Sequence, residues 1–137
     1  MRLISIFMLS LTYAVTFWLC TLLVFKVFGA FDLQHDPFGV EWRGISYTLL
    51  STIGAALICS LILLFLPGKV SIADVWWAGL LMPFLFLARS LLLGNNPFLL
   101  FSIFPVHNLL SHTILFLCLP VTYLVMEKLH GSSKSNA

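Results

Sequence analysis

Charge is what this sequence lacks most. Only 9% of its 137 residues are Asp, Glu, Lys or Arg, where a soluble domain carries about 25%. A chain of this size leaves much of its surface exposed after folding, so an apolar excess has nowhere to hide from water. The composition therefore excludes a soluble enzyme and a disordered protein alike. Acidic residues number five and basic residues seven, for a net charge of +2. The basic residues are dispersed, with no run that would track a phosphate backbone, which excludes a nucleic-acid partner. Cysteine is scarce as well. Cys20, Cys59 and Cys118 all fall inside apolar stretches. An odd number without C-x-x-C spacing builds neither a disulfide framework nor a zinc site, so they read as small packing residues. Catalytic signatures are missing too. There is no H-E-x-x-H, no G-x-S-x-G, no pair of intramembrane aspartates and no glycine-rich phosphate loop.

What is abundant is apolar surface. Hydrophobic residues make up 61% of the chain, with thirteen Phe and four Trp. Crossing a bilayer takes a helix of about 20 apolar residues. Four runs qualify, at residues 3–25, 45–66, 72–93 and 106–126. Lipid cannot satisfy open backbone groups, and no alternating pattern suggests a barrel. The expected fold is an all-α membrane protein with four transmembrane helices in an antiparallel bundle. It forms one domain over residues 1–130, followed by a disordered tail at 131–137. The lipid bilayer is thus its first partner. The opening run follows the basic Arg2 as a secretory signal would, but it is about twice the usual length and lacks a small-x-small cleavage pattern. It reads as a retained helix.

Four spans put both termini on one face, where Arg2, Lys69, Lys128 and Lys134 outnumber Lys26 and Arg43. The positive-inside rule makes that face cytoplasmic, and the compact loops suit a bacterial inner membrane. Pro67-Gly68 reads as a tight turn pairing spans two and three as a hairpin. Gly94-Asn95-Asn96-Pro97 ends span three. Residues 98–104 are too few to span and are expected in the outer interface.

An ionisable group inside a membrane is costly and asks for an explanation. Arg89 lies about four residues from the outer end of span three, where it either snorkels to the headgroups or pairs with an acid or ligand. Asp74, at the inner end, is expected to face water or to cap the first turn. Span four crowds His107, Asn108, Ser111 and His112 into its outer third. Such a stripe on a membrane helix faces protein or a water-filled cavity. The first external loop, 27–44, adds Asp32, His35, Asp36, Glu41 and Arg43. Asp32, His35, Asp36, Arg89, His107, Asn108 and His112 together make the candidate site: one outward-facing polar patch. The two histidines of span four point too far round the helix to chelate one metal, so no metal, cofactor or catalytic residue is assigned.

A second regularity concerns packing. Ser51, Ala55 and Cys59 repeat every four residues on span two, with Thr52, Ala56 and Ser60 one step round. Ridges of small residues let helices approach closely, and Thr16 and Cys20 offer a matching strip on span one. Pro83 and Pro120 are expected to kink spans three and four, opening space between their outer halves. These features favour a non-enzymatic role as a subunit, regulator or protective protein. It would act by helix contacts with another membrane protein or a second copy. Bacteriocin immunity and exclusion proteins offer the analogy, on architecture alone. The alternatives are an oligomeric transporter of a small solute or ion using the outward patch, and an enzyme acting on lipid headgroups.

Overall fold

The computed structural model of the chain is all-helical. It describes residues 2–29, 37–65, 70–94 and 105–135, with side chains described at 2–29, 43–65, 70–94 and 109–131. The helices are α1 (Arg2–Phe28), α2 (Pro37–Phe65), α3 (Ile72–Leu92) and α4 (Pro105–Ser135). Each holds a stretch long and apolar enough to cross a membrane, as a multi-pass integral membrane protein requires.

Two helices outrun their apolar segments. Helix α2 begins at Pro37 rather than near residue 45, because proline fits the first turn of a helix, where its missing N–H costs nothing. Glu41 and Arg43 therefore belong to a helix and not to a loop. Helix α4 continues to Ser135, so residues 131–135, expected as part of a disordered tail, are helical. Hydropathy marks only the part of a helix that suits lipid and is blind to turns that continue beyond it. The expected turn at Pro67-Gly68 and the interfacial segment 98–104 lie outside the described residues. Beyond the C-cap of α3 at Leu93, Gly94 has a φ of +76°, which turns the chain out of the helical region.

Helix α1 packs on α2, α2 on α4, α4 on α3 and α3 on α1, closing a ring. Helices α2 and α3, expected to pair as a hairpin, make no close backbone contact among the described residues and lie across the ring, as do α1 and α4. Small residues decide which helices touch. A Cβ on Gly54 would sit 3.3 Å from Cys20 Sγ, and Cys59 Sγ lies 3.9 Å from Thr16 Oγ1, drawing α2 onto α1. On α3 the small residue Gly79 faces α4 instead, against Phe116 and Pro120.

The interior is less apolar than the exterior. Ser10, Ser51, Thr52, Ser60 and Ser111 are buried, whereas Leu3, Leu23, Phe65, Leu92 and Leu129 are mostly exposed. In water such a surface would aggregate. In lipid it costs nothing, and compact interior residues gain close helix contact.

One ion pair joins the beginnings of α1 and α3. Arg2 Nε donates to Asp74 Oδ1 at 2.6 Å. Asp74 lies in the first turn of α3, where the helix dipole favours a carboxylate, and is partly exposed, but it is not the cap. The cap is Ser71, whose hydroxyl accepts from the Ala73 N–H at 3.3 Å. Because the Arg2 side chain is 65% exposed, a double-mutant cycle with Arg2→Ala and Asp74→Ala should give a coupling of about 0.2–1 kcal/mol. Read by detergent-induced unfolding, that coupling should shrink as salt is added; strictly additive single effects would mean the pair contributes nothing.

Candidate functional site

The candidate site is best built from α3, which lies between α1 and α4 in the ring. Arg89 stands in its last turn, where the helix dipole favours a cation. Its side chain is exposed and lines a groove of about 320 Å³ between α1 and α3, walled by Ala14, Val15, Trp18, Leu85 and Phe86. The Phe86 wall is held in place edge-on against the buried Phe17, with ring centroids 5.3 Å apart at 89°. Among the described residues no carboxylate pairs with Arg89.

His112 occupies the other flank of α3. It is half-buried in a groove of about 250 Å³ between α3 and α4, beside Leu80, Pro83, Phe84, Leu109 and Phe116. The two described members of the expected polar patch therefore line separate grooves. Sequence position sets the depth of a residue along the membrane normal; which neighbour it faces depends on the ring order. Asp32, His35 and Asp36 lie outside the described residues, and His107 and Asn108 fall in the first turn of α4, with side chains outside them. Among the described residues no three His, Cys, Asp or Glu side chains lie close enough to hold a metal ion.

The expected packing ridge lies inside. Ser51, Ala55 and Cys59 are buried, and so are Thr52, Ala56 and Ser60 beside them. The two prolines differ. Pro83 borders the His112 groove, whereas Pro120 is fully buried and packs on Gly79. Space therefore opens beside one proline and closes at the other.

Compared with known protein families, curated proteins and solved structures, the chain matches none.

Two features were not anticipated from the sequence. The first is a larger groove, of about 730 Å³, farther along the same α1–α3 seam, where Arg2, Phe7, Trp77 and Phe84 contribute. The second is Tyr13. It is completely buried, and its hydroxyl donates to the Leu115 carbonyl of α4 at 3.2 Å. The signal for it was present: tyrosine in a membrane helix belongs at the interfaces, and Tyr13 stands well inside α1. A buried phenol needs an acceptor, which here comes from across the ring. The described polar groups are thus dispersed among apolar walls.

Proposed function

We propose that this chain is a non-catalytic membrane subunit, regulator or protective protein of the immunity or exclusion type, acting by lateral helix contacts on another membrane protein. In this reading its spans form an antiparallel bundle with both termini in the cytoplasm, in a bacterial inner membrane. Contact order supports the alternation. Residue numbers rise together between α1 and α3, from Arg2 with Asp74 to Phe17 with Phe86. They run oppositely between α1 and α2, where Thr16 meets Cys59 and Cys20 meets Gly54.

The observation that carries the functional reading is a layer of packed side chains across the interior, beside a cavity of about 370 Å³ lined by Cys59, Leu63 and Asp74. Tyr13 spans the ring from α1 to α4, and Val75, Met82 and Leu119 are fully buried with it. A pathway through one copy would have to displace those side chains. The outer faces remain for function, and α1 offers the most: Ser10, Tyr13 and Phe17 are its buried residues, while Ile4, Leu19 and Leu22 are exposed.

Site-specific photo-crosslinking in native membranes tests this. A crosslinker at Ile4, Leu19 or Leu22 is expected to capture one heterologous membrane protein, whereas the buried Leu115 position should give no adduct. The adduct should survive Arg89→Ala and His112→Ala, which would disable a transporter or enzyme. Adducts only to lipid or to a second copy would overturn the proposal, the latter in favour of oligomeric transport.

A further inference from the structure

We infer that the groove at the Arg89 end of the α1–α3 seam is a binding site for an anionic phospholipid, its phosphate on Arg89 and an acyl chain along Ala14, Val15 and Leu85. Helix α3 has 21 residues, about 31 Å at 1.5 Å per residue, which matches the roughly 30 Å hydrocarbon core. Its end therefore lies at the edge of the hydrocarbon. Arg89 sits about one helical turn inside that edge, and its stem is long enough to carry the guanidinium to the headgroup level. An exposed cation there needs an anion, and among the described residues no carboxylate supplies one. The planar guanidinium fork matches phosphate geometry with two parallel hydrogen bonds.

The groove is small, about 320 Å³. An acyl chain is thin enough to lie in it. Ala14 keeps the floor low, and Phe86, fixed against Phe17, keeps one wall upright. The larger groove at the other end of the seam lacks the same pull on an anion, because its Arg2 is already paired with Asp74. Charge and shape coincide at Arg89.

Trp18 lines the groove and is half-exposed, so it reports on occupancy. The purified full chain would be reconstituted in bilayers containing phosphatidylglycerol or phosphatidylcholine with brominated acyl chains, at equal mole fractions. The difference in quenching between wild type and Trp18→Phe isolates Trp18 from the other tryptophans. The expected result is a roughly fivefold preference of Trp18 for the brominated phosphatidylglycerol, the size of one basic contact with an anionic lipid surface. The preference should disappear in Arg89→Gln and persist in Arg2→Gln and in millimolar inorganic phosphate. Equal quenching by both lipids, or a preference unchanged by Arg89→Gln, would overturn the inference. So would Trp18 resisting both lipids in isolated native membranes, which would mean that a protein covers the groove. The reconstituted assay contains no partner, so its failure leaves the crosslinking result untouched.

Discussion

Replacing Gly79 with alanine is expected to destabilise the protein by about 1–3 kcal/mol, as overpacking of a filled interior does, and replacing it with leucine should prevent α3 and α4 from docking. A Cβ at this position would lie 2.6 Å from the Phe116 carbonyl oxygen and 3.2 Å from Pro120 Cδ. Neither obstacle can rotate aside, since one is backbone and the other a proline ring. The carbonyl is also special. Pro120 has no N–H, so the Phe116 oxygen four residues earlier has lost its usual helical donor. In a bilayer a freed carbonyl must find compensation from a neighbouring helix. The Gly79 hydrogen that stands in place of a Cβ points toward that oxygen, a weak C–H contact that also brings the two backbones close. Gly54 supplies the contrast. A Cβ there would meet only the Cys20 thiol, at 3.3 Å, and a thiol side chain can turn away. Gly54→Ala should therefore stay within about 0.5 kcal/mol of wild type. Unfolding by sodium dodecyl sulfate titration from bicelles measures both. Equal costs at the two glycines would show that the α3–α4 approach is not held by Gly79.

The sequence reveals the extent of the apolar helices well and their neighbours poorly. The limits of α3, read as 72–93 and found as Ile72–Leu92, are legible because Ser71, Asp74 and Gly94 are polar or turn-forming residues at the edges of an apolar run. The ridge of Ser51, Ala55 and Cys59 is legible because small residues at four-residue spacing stand out among Leu and Ile. The ring order is not legible. A helix that is apolar all round gives hydrophobic periodicity little to report, so nothing in the sequence says that α2 and α3 lie across the ring from each other. Arg89 and His112 were therefore expected in one patch from their similar depth, whereas they face opposite flanks of α3. The same blindness hid the ion pair of Arg2 with Asp74, separated by 72 positions. It also hid the role of Gly79, which depends on a proline in another helix.

The second large effect is expected at Tyr13. Tyr13→Ala should cost about 3–5 kcal/mol, the usual loss when a buried aromatic ring is removed. Tyr13→Phe should cost far less, roughly 0.6 and at most about 1.7 kcal/mol, the value of an interhelical hydrogen bond in a membrane. The ring and its hydroxyl contribute separately. The ring is completely buried between α1 and α4, which make no close backbone contact among the described residues, so no neighbour can collapse into its volume without breaking the circuit of helix contacts around it. The hydroxyl donates at 3.2 Å to a carbonyl within α4. In a helix the Leu119 N–H is the regular donor to that carbonyl, so losing the phenol should leave no orphaned group. Detergent unfolding of the two variants distinguishes these contributions. If Tyr13→Phe were as damaging as Tyr13→Ala, the cross-ring hydrogen bond and not the filled volume would hold the helices together. The reading of the interior as closed by packing would then fail, and with it the main support for a function confined to the outer faces.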